Sequence, residues 1–317
     1  MKKVFVFALA VVVSIMFFQV PGARADFPNR MVTCVVGFSP GGMTDVVSRL
    51  LADKMGEFLG QKVIVENQPG AGGATALLRT LDGPTDGYTF VSMSTSTAAG
   101  TALVGKPVDI EKIGFIGAYM PQERVLFARK DAPFTTFEGL VEYAKKSPVT
   151  FAGGGSIWAA NVVEAMAKEM DLNIRVVPFR SGGDGAAAIL GGHVTLAETG
   201  VGTPAWQSAI KGGLNVIAVL GDGDLKDLGF PEIKSIRDYG ATHFVRQYFG
   251  FAMSAGVPEH RRQKIEDAFE YAINHADVIK RMEELDLQPR YISSEEYRPI
   301  IEAVLKEVPA LVEYLKD

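Results

Sequence analysis

The stretch MVTCVVGFSPGGMTD, from Met31 to Asp45, joins a short β-branched apolar run to a glycine-rich turn. Met31 to Phe38 has the length and composition of a buried strand. Beyond the turn, Val46, Val47, Leu50, Leu51, Met55, Phe58 and Leu59 recur at helical spacing. Thr44 or Asp45 suits a cap for the first turn, and Gly60 stands where a C′ residue belongs. The turn therefore opens a helix whose free N–H groups and positive dipole end face the loop, an arrangement that receives a carboxylate or phosphate. Phe38, Ser39, Gly41, Gly42, Thr44 and Asp45 are the candidate contacts, with Asp45 read first as a cap or an internal loop bond. The bland alternative is a tight strand-to-helix connection with no ligand.

Moving outward, a second strand over Lys62–Glu66 (KVIVE) leads into the loop NQPGAGG and a helix over Ala74–Leu81. The turn PTDG and a strand over Tyr88–Met93 follow. This β-α-β-α-β order predicts a parallel sheet with right-handed crossovers. The third strand runs into Ser94, Thr95 and Ser96, a hydroxyl-rich loop on the sheet edge that carries the first glycine turn, and ligands bind at that edge in open parallel sheets. The logic recurs downstream. A strand at Val149–Phe151 enters a glycine loop holding Gly155, Ser156 and Trp158, then a helix over Ala159–Met170. A strand at Ile174–Phe179 enters a loop holding Arg180, Gly182 and Gly183, then a helix over Ala186–Leu190. A further strand covers Leu214–Leu220, and the chain beyond Pro258 is mostly amphipathic helix. Three glycine-rich helix N-termini imply a cleft that grips an anion from two sides.

Lys2 and Lys3, an apolar stretch from Val4 to Phe18, Pro21-Gly22 and the triplet Ala23-Arg24-Ala25 have the layout of a secretory signal peptide, with cleavage expected after Ala25. The alternative, an uncleaved anchor, needs about 20 apolar residues, more than this core supplies. The sequence carries 32 basic and 37 acidic residues. Removing residues 1–25 takes away Lys2, Lys3 and Arg24 and no acid, leaving 29 against 37, or −8. That balance gives no footing for nucleic acid or an anionic membrane. Cys34, the one cysteine, excludes an intrachain disulfide and reads as a core thiol.

Catalytic signatures are missing from the pattern. His193, His243, His260 and His275 are scattered without metal-ligand spacing. Gly155-Ser156-Ile157-Trp158 lacks the second glycine of a nucleophile elbow. No dinucleotide or phosphate-loop fingerprint follows a strand, and the acid pairs Glu283-Glu284 and Glu295-Glu296 read as solvated helix surface. No enzyme activity, cofactor or metal is expected.

The segments GFSPGGMTD, VIVENQPGAGG, PTDGYTF, VPFRSGGDGAAAILGGHV and YFGFAMSAGVP resemble the signature segments of the Bug (TctC-type) family, the periplasmic receptors of tripartite tricarboxylate transporters. The resemblance covers nearly the whole mature chain. It implies an α/β, two-lobed periplasmic binding protein fold of the type II class, each lobe a mainly parallel sheet flanked by helices, with the ligand cleft between them. Residues 1–25 would be the signal peptide, 26–122 with 249–317 the first lobe and 123–248 the second. By the same resemblance the chain leaves the first lobe near Met120–Arg124 and returns near Gln247–Gly250. It implies a monomeric periplasmic receptor that closes on a small organic acid and delivers it to the membrane permease subunits. Backbone N–H groups and hydroxyls of the loops above would hold the carboxylate.

Two positions carry open readings. Arg180 either pairs with a carboxylate or is neutralised on the surface, where many members of the family have Lys. The family pattern GSxGxGSxxH is replaced here by AGGGSIWAAN, so Trp158 either stacks on an aromatic acid or packs the helix start against its own lobe. Two other functions remain as alternatives: an exported enzyme acting on a carboxylate or phosphate ester, and a ligand-sensing partner of a membrane sensor kinase.

Overall fold

The computed structural model describes residues 27–153, 156–179 and 182–316. The expected signal peptide and the candidates Gly155 and Arg180 lie outside the described residues. The apolar run at the start forms β1 (Val32–Val36), which pairs in parallel with β2 (Val63–Asn67) and β3 (Thr89–Ser94). Two further strands, β4 (Ile113–Gln122) and β10 (Gln247–Ser254), complete a sheet of order β2-β1-β3-β10-β4, in which β10 runs antiparallel to both neighbours.

A second sheet repeats the pattern. Here β6 (Val149–Gly153) runs parallel to β7 (Ile174–Pro178) and β8 (Leu196–Gly200), while β5 (Arg124–Ala128) runs antiparallel between β8 and β9 (Asn215–Val219). In each sheet the antiparallel strand is the one by which the chain arrives from the other. Glu123 alone separates β4 from β5, and Gln122 is the register partner of Gln247, so the two passages between sheets lie side by side.

Helices cover both faces, as strands buried on both sides require, among them α4 (Phe137–Ala144), α8 (Glu259–Ile273) and α9 (Ala276–Glu283). The first, α1 (Met43–Leu59), buries Val47, Leu51, Met55 and Leu59 and ends at Gly60 in the left-handed conformation (φ 64°), the C-terminal signal expected there. Helix α2 (Ala74–Leu81) keeps its expected bounds. The residues Thr95–Leu103 form helix α3 rather than a loop. Helix α5 (Ile157–Glu169) and helix α6 (Gly182–Leu190) each begin earlier than expected, the latter because its first turn, Gly182-Gly183-Asp184-Gly185, carries no apolar signal. Strands β4, β5, β8 and β10 gave none of the alternation that marks a half-buried strand, since each is buried on nearly every residue. At Gly250 a Cβ would lie 2.2 Å from the Gly117 carbonyl oxygen, so β10 and β4 meet where a side chain has no room.

The C-terminal helix α10 (Ser294–Lys316) is shared between the sheets. Tyr297 and Ile301 belong to a core beside the first sheet, and the Tyr297 hydroxyl donates to Met93 O at 2.9 Å. Farther along, Val304, Val308 and Leu311 are buried with Phe137, Phe151 and Trp158 of the second. Lys168 Nζ donates to Tyr314 O at 2.6 Å, and Arg246 pairs with Glu307.

Glu123, in the single-residue link, packs its carboxyl so closely on Gly221 and Gly223 that neither position has space for a Cβ. Burial, then the charge of Asp222 and more weakly that of Asp224, push its pKa up to about 7 against a hydrogen bond from the Gly223 N–H. An acid raised in this way supports the fold fully below its ordinary value of about 4.3 and withdraws that support as pH rises through about 7. Glu123→Gln should therefore match the parent near pH 4 and exceed it near pH 8 by on the order of 1–3 kcal/mol in urea unfolding. A constant difference across that range would remove the titration from the account.

Candidate functional site

The carboxyl edge of the first sheet brings two of the glycine turns together. A Cβ on Gly37 would lie 2.5 Å from Gly73 Cα, and Gly73 itself has φ +91°. The loops GFSPGG and GAGG are therefore stacked backbone on backbone, which only glycine permits. Side chains lock the stack. Asn67 Nδ2 donates to Phe38 O at 3.0 Å and to Asp45 Oδ1 at 2.8 Å, and Arg49 Nη2 donates to Asn67 Oδ1 at 2.8 Å. The Gly41 N–H donates to Asp45 Oδ2 at 2.9 Å. Burial alone would raise the Asp45 pKa, but the bonds from Arg49, Gly41 and Asn67 outweigh it and leave the carboxyl below its usual range. Asp45 is 3% exposed, with its carboxylate engaged inside the loop.

Neither Thr44 nor Asp45 caps α1. The N-cap is Gly42, at φ −74° and ψ 163°, and among the described residues no side-chain cap bond reaches the N–H groups of that first turn. Thr44 is buried, whereas Ser39, Gly41 and Gly42 are exposed and Phe38 is half-buried. The helix presents uncapped donors and its positive end to the space above the loop.

The hydroxyl run after β3 divides by direction. Ser94 is buried and caps α3 by accepting from the Thr97 N–H at 3.0 Å. Thr95 is buried and its hydroxyl accepts from the Tyr248 N–H at 3.0 Å. Both are thus committed within their own layer. Ser96 alone reaches the other sheet: its hydroxyl lies 3.3 Å from that of Ser156 and bonds to Gln247 Oε1. Ser156 in turn caps α5 through the Ala159 N–H at 3.2 Å. Gly182 and Gly183, read from sequence as a loop ahead of the helix, form the start of α6. Trp158 is 2% exposed, within the core that holds Phe151 and Val308, so the stacking platform considered for an aromatic acid is here a packing residue.

The arginines beside the passages between sheets are engaged. Arg124 is buried against Glu198, with Nε donating at 2.8 Å, and Arg246 bonds Asp222 and Glu307. A cavity of about 560 Å³ opens beside the Gly41 loop. Its lining comes from Gly41 in the turn, from α1 (Met43, Val46, Val47), from the segment Gly202–Lys211 after β8, and from residues 284–287. Gln207, Lys211 and Gln247 escaped sequence reading because they sit in no glycine motif and meet the cleft only through folding. Among the described residues no group of His, Cys, Asp and Glu is arranged to hold a metal ion, and no helix is long and apolar enough to cross a membrane.

Comparison with known proteins places this arrangement. The family described as "Tripartite tricarboxylate transporter family receptor" (TctC) matches residues 47–316. A Cupriavidus necator protein described as "UPF0065 protein in gbd 5′region" is 30% identical over 303 residues, covering 92% of this chain and 90% of that one. Among solved structures, MatC from Rhodopseudomonas palustris with bound malate is 25% identical with a TM-score of 0.75, covering 90% of this chain and 100% of its own. The periplasmic binding protein BugD is 22% identical with the same TM-score of 0.75, covering 92% and 99%.

Proposed function

The chain belongs to the tripartite tricarboxylate transporter receptor (TctC) family, and from that premise we propose that it is an extracytoplasmic receptor that captures a small carboxylate and delivers it to a membrane permease. The observations that carry the reading are the uncapped N-terminus of α1 and the meeting of Ser96 with Ser156 across the two sheets. The donors suit an anion, and the two sheets suit a hinge. We assign residues 26–122 with 249–317 to one lobe and 123–248 to the other, with the end of α10 strapped across. Ligand touching both lobes stabilises the closed form only by its differential affinity for it, which couples occupancy to a shape a permease can read. MatC, with malate bound, supports an organic acid as the ligand. Export with cleavage after Ala25, a monomeric state and the absence of turnover belong to the same proposal.

The test is a thermal-shift screen of residues 26–317, stripped of co-purified ligand, against citrate, dicarboxylates, acidic amino acids and aromatic acids. A ligand at 100 times its dissociation constant should add about 2.7 kcal/mol. No shift with any acid, or turnover of a carboxylate or phosphate ester, would reject the receptor reading.

A further inference from the structure

Resting on the two-lobe reading of the receptor, we propose that Glu123 is a proton-operated catch in the hinge: neutral, it lets the lobes stay together, and ionised, it drives them apart. The chain places this one carboxyl at the pivot. Glu123 is the whole of the link between β4 and β5, and its backbone oxygen accepts from the Val201 N–H at 3.0 Å. Its side chain lies against Gly221 and Gly223 of the second lobe, where no Cβ fits.

Beside the link is a cavity of about 50 Å³ lined by both lobes. Val201, Asp224 and Asp227 belong to the second lobe, while Met120 and residues 286–288 come from the first and complete the wall. Glu123, Asp224, Asp227 and Asp286 bring carboxyls to it, and none of its described lining residues is a cation. The same first-lobe segment seats on the second lobe at Gly202, where a Cβ would lie 2.8 Å from Asp286 O and closer still to Leu287 Cδ2. With the Ser96 and Ser156 hydroxyls 3.3 Å apart as well, the lobes are in contact. Parting them withdraws residues 286–288 from the cavity and admits water to the Glu123 carboxyl.

The charges around Glu123 come from every element packed on it. After β9, Asp222 and Asp224 act on it with like charge. The nearby cations are engaged elsewhere: Lys226 pairs with Asp224, and Arg246, just ahead of β10, divides its charge between Asp222 and Glu307 of α10. On β10, Tyr248 lies in the field of Glu123 and Asp222 on one hand and of Arg290 and Arg246 on the other. Among the described residues no group of carboxyls is arranged to hold a metal ion, so a proton is the cation left to neutralise Glu123. With the lobes together, burial and then Asp222 push its pKa up to about 7, whereas a hydrated glutamate keeps its ordinary value of about 4.3. The sign follows by linkage. Lobe contact is unhindered below about 4.3, where the carboxyl is neutral in either form, and loses that support as pH rises through about 7. Closure near pH 6 therefore takes up about one proton, and closure near pH 8 takes up almost none.

The experiment needs no ligand. Donor and acceptor dyes on Asp53→Cys in α1 and Lys211→Cys at the end of α7 (Pro204–Lys211) put one reporter on each lobe. Both positions are exposed, and buried Cys34 stays out of reach of the label. In single-molecule energy transfer between pH 5 and pH 8, the ratio of close to distant pairs should fall by about tenfold or more. Glu123→Gln, neutral throughout, should keep the close population at every pH. Asp222→Asn, which removes a like charge and frees the Arg246 guanidinium, should move the transition to lower pH. A separation that ignores pH, a transition that survives in Glu123→Gln, or one that stays in place in Asp222→Asn would overturn the catch. None of these results touches carboxylate binding, which the thermal-shift screen decides separately.

Discussion

Gly42→Asp should lose carboxylate binding by about 100-fold or more while folding at least as well as the parent. Gly42 occupies the N-cap of α1 with extended backbone angles that any residue adopts, and a Cβ there meets only Ser39 O at an ordinary 3.7 Å. Aspartate is among the best N-caps and exceeds glycine by a few tenths of a kcal/mol. Its carboxylate would bond the first-turn N–H groups that now stand free of side chains, and so take the place assigned to the ligand's own. Each hydrogen bond to a charged group is worth about 1.5–3 kcal/mol, and two like charges cannot share the donors, so a loss near 3 kcal/mol, or about 100-fold, is the expected minimum. The measurement is a pair: melting temperature, which should hold or rise, and affinity for the best acid from the screen. Retained micromolar affinity would remove the α1 N-terminus from the site.

Trp158→Ala should destabilise the protein by about 3–5 kcal/mol, the usual cost of emptying an aromatic site in a core. The indole is 2% exposed and lies in the cluster where α5 meets the end of α10. For a chain of this size, that cost corresponds to a melting temperature lower by on the order of 10 °C. Affinity measured well below the transition should change little, because Ser156, not the indole, faces Ser96. An unchanged melting temperature with lost affinity for aromatic acids would return Trp158 to the ligand.

The same residues show where sequence reading succeeds and where it stops. The run ending in GFSPGGMTD announced a strand, a turn and a helix because each obeys a local rule: β-branched content, glycine conformational freedom, and apolar spacing at helical period. Gly60 at the end of α1 obeys one as well. Local rules failed at Thr95 and Ser96, read as a hydroxyl-rich loop and found in the first turn of a helix. Ser94 is held by its own cap bond to the Thr97 N–H, whereas the packing of α3 against β10, with the Tyr248 N–H donating to the Thr95 hydroxyl, turned Thr95 inward. Asp45 is a similar case: Arg49 is its i+4 neighbour on α1, but Asn67 stands 22 residues away and becomes a partner only through the fold.

By itself, then, the amino-acid order determined the alternation of strands and helices, the glycine-bounded helix starts, the acidic balance and the resemblance that implies a carboxylate receptor, since all of these are written in contacts a few residues long. The tertiary structure decided which hydroxyl faces the other sheet, that Trp158 is core, that the C-terminal helix spans both sheets, and that Gln207 and Lys211 line the cavity beside Gly41. Each depends on how two sheets, formed from interleaved stretches of one chain, and the helices around them are brought together, and no local periodicity records the side of an element that such a meeting buries.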